Sequence, residues 1–467
     1  MKSIGKRTVV VVLVMLQILM LVIFPPVSAE YSLWRITIWS VFAIISAVVV
    51  IISFISKPHV YKEGTMIVVA FLLLNVCSYF VGLKNGIPLK DYIRGILPFL
   101  YFLYIYVIEK QGDNKLDYYE KMFEVVAIAH AVKIIFAFFY YDCLRTNVRV
   151  TMYVPSFGSL IIIIGIICFF GRIVNGKHET KEHVFSWVGL ILCWVSIIIT
   201  QTKALVISTF FGILTITFLV CRLHSRVQYL RRIILAILVL IIEMSLIYST
   251  TNLGQRWINS IIQKVDSVET VVDTTEGVTE GITEQTLEQI IVVPSMEGDK
   301  EETVNKESTT GEKVVVKDTV RVAEIKYAIN TWKTAPITGK GCGYRWKSDI
   351  TENEKPHMYM HNILAYFLMD YGIFGILWLI LFGVIVIKRM VEVCTSKPKD
   401  SLDQEYISII MNFSVIASAF LYANMFAVFR NIDFIFLFSI ITGIYLSRCR
   451  RIKELIENKN VSKGEVF

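Results

Sequence analysis

Lys355-Pro-His-Met-Tyr-Met-His-Asn-Ile-Leu-Ala-Tyr-Phe-Leu-Met-Asp-Tyr-Gly-Ile-Phe-Gly375 passes without interruption from a polar, histidine-bearing segment into a long apolar run. The hydrocarbon core of a bilayer needs about 20 apolar residues of helix, and this run opens such a span. His357, His361 and Asn362 then fall at its water-exposed mouth. An imidazole there can take or give a proton near neutral pH while the lipid tail of its substrate stays in the bilayer. The stretch points to a membrane protein that works on a membrane-anchored substrate.

Outward from it, the same pattern recurs along the chain. Hydrophobic residues make up 55% of the sequence, and the mean hydropathy is +0.60. Apolar runs near bilayer length predict about twelve spans, at 8–24, 34–56, 65–83, 91–108, 121–140, 154–171, 184–201, 203–221, 232–250, 361–387, 406–427 and 431–448. Backbone in lipid must satisfy its own hydrogen bonds, and no series of short alternating strands is present to build a barrel. The expected fold is therefore all-α, a polytopic transmembrane helix bundle. It divides into N-terminal helices (1–144), central helices (145–250), a large loop (251–360), C-terminal helices (361–448) and a basic tail (449–467).

Lysine and arginine alternate sharply between successive loops. Counted with the N-terminus inside, the inner segments and tail hold roughly 25 of them. The short outer loops hold only Lys84, Lys90, Arg145, Arg149, Lys203 and Arg430. By the positive-inside rule both termini are cytoplasmic and the 251–360 loop is extracytoplasmic. The formal charge of +8 is thus a topology signal, and no nucleic-acid partner is expected. Lys2 to Arg7, an apolar core and Val27-Ser-Ala29 resemble a signal peptide, but the core is long and another span follows, so a retained first span is expected. Of eight cysteines, only Cys143 and Cys342 face outward on this topology. Their spacing does not mark them as a disulfide.

The large loop has three parts. Gln255-Arg-Trp257 leaves the membrane in helical-looking sequence. Residues 266–310 follow, a Thr/Glu/Val tract with the near-repeat Thr275-Glu-Gly-Val-Thr-Glu-Gly-Ile-Thr-Glu-Gln285. Its charge and lack of aromatics predict a disordered acidic insert. Apolar residues return at helical spacing over Val320–Trp332, and Gly339-Lys-Gly-Cys-Gly343 makes a glycine-rich turn unlike a phosphate-binding loop.

Arg321…Trp332…Ala335-Pro-Ile-Thr-Gly-Lys-Gly-Cys-Gly343, then His361-Asn362 and Gly372-Ile-Phe-Gly375, resembles the shared region of bacterial O-antigen ligases and O-antigen or capsular polysaccharide polymerases. Arg149-Val-Thr-Met-Tyr-Val-Pro155 resembles the family's outer-loop arginine and proline. Thr200-Gln-Thr-Lys-Ala204 stands where the family has Ser-Arg-Gly or Ser-Arg-Ala. Lys203 there keeps the charge but lacks the planar fork of arginine, and the acidic insert has no counterpart in the family's core pattern.

The resemblance implies a membrane glycosyltransferase for lipopolysaccharide or capsule synthesis. It would take oligosaccharide from a polyprenyl-diphosphate (undecaprenyl-type) donor to a glycan or lipid-linked acceptor at the outer face of the cytoplasmic membrane. Arg149, Lys203 and Arg321 would bind the diphosphate and stabilise its developing charge. His361 would deprotonate the acceptor hydroxyl, with Asn362 and His357 as further substrate contacts. No metal and no cofactor is called for. Partners would be donor, acceptor, membrane lipid and, for a polymerase, a chain-length regulator. A low-GC composition, rich in Lys and Ile and poor in Ala, tilts the reading toward polymerase over ligase.

Plainer roles stay open. His361 can cap a span, Arg149 and Lys203 can meet lipid headgroups, and Arg321 can be a solvated helix charge. Tyr359 and Tyr366 read as interface-belt aromatics, and Arg35 and Arg94 as snorkelling residues. Asp370 can pair with a buried cation such as Lys133. As whole-protein alternatives, a transporter or flippase for lipid-linked glycans should show broken spans in matching halves, and a sensor would not need a histidine among outer cations. The topology predicts that a cysteine placed near Thr275 reacts with an impermeant thiol reagent in intact cells. Labelling only after lysis would overturn the orientation.

Overall fold

A computed structural model describes residues 5–23, 32–55, 62–111, 115–145, 149–152, 159–176, 180–223, 227–251, 253–254, 319–347, 356–358, 360–396 and 403–464. The acidic insert, Gln255–Trp257, Val27–Ala29 and Pro155 lie outside them. The helices are α1 (Lys6–Ile23), α2 (Ser32–Ile55), α3 (Lys62–Lys84), α4 (Leu89–Ile96), α5 (Leu103–Glu109), α6 (Leu116–Tyr140), α7 (Ser159–Asn175), α8 (Thr180–Thr200), α9 (Lys203–Leu223), α10 (Val227–Thr250), α11 (Thr319–Thr334), α12 (Ile363–Thr395), α13 (Asp403–Met425) and α14 (Ile432–Gly464). Ten helical stretches among the described residues are long and apolar enough to cross a membrane. The shorter apolar helices α1 and α7 stand where the first and sixth spans were expected. The fold is a polytopic helix bundle, as the sequence predicts.

Three elements differ from the sequence reading. The expected span 91–108 is built from α4, a 3-10 turn over Leu97–Phe102 and α5, because Pro98 enters near the start of that turn and removes an amide donor. The last helix does not stop at Arg448 but continues to Gly464. The third difference is a break inside α12, where Gly372 adopts φ 61° and ψ −147°. Cys143 and Cys342 are both free thiols.

The break in α12 frees backbone groups that would otherwise be orphaned in an apolar surrounding. The glycine-rich turn takes them up. The amides of Lys340 and Gly341 donate to the carbonyls of Met369 and Asp370, each at 2.9 Å. The amides of Ile373 and Phe374 donate to the carbonyls of Pro336 and Ile337 at 3.0 and 3.4 Å. Turn and broken helix thus complete each other. Only glycine fits at the crossings: a Cβ on Gly372 would sit 2.5 Å from the Gly339 amide nitrogen, and one on Gly341 2.6 Å from the Gly82 Cα. Behind the break, Tyr371 donates its hydroxyl to Asn75 Oδ1 at 2.9 Å, and Trp378 its indole N–H to the Ile67 carbonyl at 3.0 Å. Both contacts fasten α12 to α3.

The opposite end of the bundle is held by charge. Arg448, 3% exposed, is ringed by Asp117, Glu120 and Glu405 at 2.6, 2.9 and 2.7 Å. Arg172 pairs with Glu124 at 2.6 Å, Arg450 with Glu109 at 2.9 Å, and Arg389 with both Glu63 and Glu392. A guanidinium at low dielectric is tolerable only with such carboxylates around it. Between the two ends lies an aromatic and aliphatic core, in which Phe367 stacks on Trp378 at 5.6 Å.

Alanine at Gly372 must adopt a backbone region nearly closed to it, at a cost of about 1–3 kcal/mol, and must also displace the turn. Gly372→Ala is expected to lower the melting temperature of the detergent-solubilised protein by several degrees. Gly383→Ala in the same helix, where an added Cβ meets nothing within 4 Å, is the matched control and should melt as wild type. Equal melting of the two variants would refute the plugged break as a stabilising element.

Candidate functional site

Helix α11 buries Glu324, Ala328 and Thr331, which are 2%, 0% and 9% exposed. Their spacing of four and three residues puts them on one face. That face carries Glu324 to the segment just before α12. The Glu324 carboxylate takes hold of His361 twice: Oε1 lies 2.8 Å from Nδ1, and Oε2 accepts the His361 backbone N–H at 3.0 Å. An ionised carboxylate can only accept, so Nδ1 carries the hydrogen and Nε2 is left as the basic nitrogen. The His361 side chain is 30% exposed, against 3% for Glu324. A half-buried imidazole with fixed tautomer and fixed backbone thus sits at the mouth of α12.

Asn362 sets where the helix begins. It is the N-cap in extended conformation, and its Oδ1 accepts the Ala365 amide at 2.9 Å. Its Nδ2 reaches the Asn424 carbonyl at 3.5 Å. The amide oxygen is therefore occupied in capping. His357 pairs backbone to backbone with Trp346 at 2.8 and 2.9 Å, and its ring lies 6.0 Å from the indole. Arg321 occupies the first turn of α11, three residues before Glu324 and on the same helical register. Lys203 is the first residue of α9, just after a tight turn in which Gln201 has φ 53°. Arg149 is exposed, immediately before a 3-10 turn over Val150–Met152. The structure therefore gathers His357, His361, Asn362 and the start of α11 in one place, whereas Lys203 opens α9 and Arg149 precedes a separate 3-10 turn. Glu352, Glu354 and Tyr359 lie outside the described residues.

Two sequence expectations need correction. Tyr366 is not an interface-belt residue: it is 2% exposed and lies under the Arg430 guanidinium, 6.0 Å from ring centre to Cζ. Asp370 does not find Lys133, whose ammonium donates to the Val22 carbonyl at 3.1 Å. The cation whose field reaches Asp370 is Arg430.

Sequence reasoning missed Glu324 and treated Arg430 only as a loop charge. Arg430, in the turn between α13 and α14, donates to the Met358 carbonyl and, at 3.3 Å, to the Arg94 carbonyl. It thereby ties the segment leading to His361 to two other parts of the bundle. Glu324 had one signal, an acidic residue in register with Ala328 and Thr331. Cys342 is no nucleophile: burial pushes its thiol up to about 12, and its own amide donates to Ser78 Oγ at 2.6 Å.

Residues 188–380 match a family model described as O-antigen ligase. The match takes in Lys203, Arg321, Glu324, His357, His361, Asn362 and both glycine motifs, and leaves Arg149 outside. No curated protein matches the chain.

If Glu324 acts through His361, removing it should cost activity without costing protein. Glu324→Ala is expected to lower the rate about a hundredfold, within the usual worth of a positioned base. Glu324→Gln, which keeps an acceptor oxygen but not the charge, should fall between. Adding Glu324→Ala to His361→Ala should cost little more, since residues that act as a unit are not additive. Additive losses in that double-mutant cycle would show that Glu324 acts elsewhere.

Proposed function

We propose that this protein, whose residues 188–380 match the O-antigen ligase model, transfers oligosaccharide from a polyprenyl-diphosphate donor to a sugar hydroxyl at the extracytoplasmic face, acting as a polysaccharide polymerase in preference to a ligase. The observation that carries the reading is the Glu324 clamp on His361 at the mouth of α12, inside the matched region.

The chemistry follows from the fixed tautomer. His361 Nε2 takes the proton of the acceptor hydroxyl as its oxygen bonds to the anomeric carbon of the donor sugar. The bond from that carbon to the diphosphate oxygen breaks, and the diphosphate leaves with the electron pair. Glu324 balances the imidazolium that forms until the proton passes to solvent. Diphosphate is a good leaving group without protonation, so a single base suffices. Arg321, Lys203 and Arg149 are the proposed cations for the diphosphate, with arginine the better fork for its paired oxygens. Nothing in this scheme requires a metal ion.

A transporter or flippase is the weaker reading. Two spans are broken, at Pro98 and Gly372, as transporter sites require. At Gly372, however, the freed backbone groups bind the protein's own turn, where a transporter would offer them to a ligand.

His361→Ala should accumulate normally yet lose roughly 10²–10⁴ in rate, and His361→Gln should do little better, because an amide cannot accept the proton. Arg321→Lys should be milder than Arg321→Ala. In cells, the alanine variants should leave lipid-linked repeat units unextended, which extraction and chromatography of the lipid fraction would reveal. Normal glycan output from His361→Ala would place the base elsewhere.

A further inference from the structure

Beside the Glu324–His361 pair runs a row of aromatic rings that the transfer step does not use. Tyr327 follows Glu324 by three residues on α11, so the two are neighbours on one face. Its ring lies 5.5 Å from that of Trp346, and the Trp346 ring lies 6.0 Å from that of His357, four residues before His361. The Tyr327 and Tyr344 hydroxyls are 3.3 Å apart. Trp346 is 3% exposed and serves as the backing, whereas Tyr327, Tyr344 and His357 each keep part of their surface open.

We propose that this row is the subsite for the acceptor glycan, with a sugar ring laid against Tyr327, Tyr344 and His357 so that its hydroxyl reaches His361. The proposal rests on the transferase reading above and names where the second substrate sits. A pyranose ring has an apolar C–H face and a rim of hydroxyls. Tyrosine matches both, offering a large flat face at small entropic cost and a phenol that can donate or accept at the edge. Partly open rings on a rigid backing fit this better than a diphosphate, which wants free cations. The neighbouring cation Arg345 is already engaged, donating to both Asp91 oxygens at 2.9 and 2.7 Å. Rigidity comes from the paired backbones of Trp346 and His357 and from α11 itself, so a docked ring would be held in register with the base.

The test uses the full chain in detergent micelles. The probe is the repeat oligosaccharide released by mild acid from the lipid-linked units that accumulate in cells lacking this protein. Saturation-transfer NMR on the wild type should show transfer from aromatic protein protons to sugar C–H protons. Tyr327→Phe, which keeps the face, should bind within about twofold of wild type, and Tyr327→Leu should bind roughly tenfold more weakly. Gly383→Ala, remote from the row and with open space for its added Cβ, should bind as wild type. Tyr344→Leu serves if Tyr327→Leu does not elute as a monodisperse species. Wild-type affinity in the leucine variants overturns the proposal, as does absence of aromatic transfer in the wild type. If His361→Ala keeps full activity while Tyr327→Leu loses affinity, the assignment of the base fails and the subsite stands.

Discussion

The four hydrogen bonds between the glycine-rich turn and the broken first third of α12 are the constraint from which the site follows. A helix interrupted in an apolar surrounding must have its freed amides and carbonyls met by something. Here Lys340, Gly341, Ile373 and Phe374 donate across the two elements, and Pro336, Ile337, Met369 and Asp370 accept. The exchange locks the turn at the C-terminal end of α11 against α12. Since α11 enters that turn directly, the lock also fixes the register of α11 beside the mouth of α12. Glu324 reaches His361, 37 residues away in sequence, because of that register.

The distribution of charge separates the two ends of the bundle by task. At one end, carboxylates from several helices neutralise Arg448, Arg389, Arg450 and Arg172. These are structural pairs, whose partners bridge elements distant in sequence. At the end carrying His361, Arg430 donates from its two terminal nitrogens to the main-chain carbonyls of Met358 and Arg94, and so acts as a brace for the segment before α12. Fully paired cations hold one end together, while the other keeps a half-exposed imidazole backed by a buried carboxylate. That contrast is what separates scaffold from candidate site.

Part of the family pattern is architectural. Gly339, Gly341, Gly343 and Gly372 all have positive φ and meet other backbone at distances no side chain allows. Asn362 begins the helix. The residues with chemistry to offer at the mouth of α12 are His361 and Glu324, and the aromatic row of Tyr327, Trp346 and His357 adjoins them along α11 and the segment before α12.

The sequence by itself determined the helix bundle, the placement of the spans and the segment that holds His361. Each of these is a local signal: apolar length sets a span, three-to-four spacing sets a helix, and a polar stretch entering an apolar run sets a mouth. It also carried the ordered motifs that lie within residues 188–380, the stretch that matches the O-antigen ligase family model. Tertiary structure alone decided the partners. Nothing in the local pattern says that Glu324 meets His361, that Arg430 rather than Lys133 is the cation acting on Asp370, or that Gly372 breaks its helix. Those outcomes depend on which backbone groups and charges are left unsatisfied once the helices have packed. That requirement is met between elements far apart in sequence, so it has no period for a linear reading to detect.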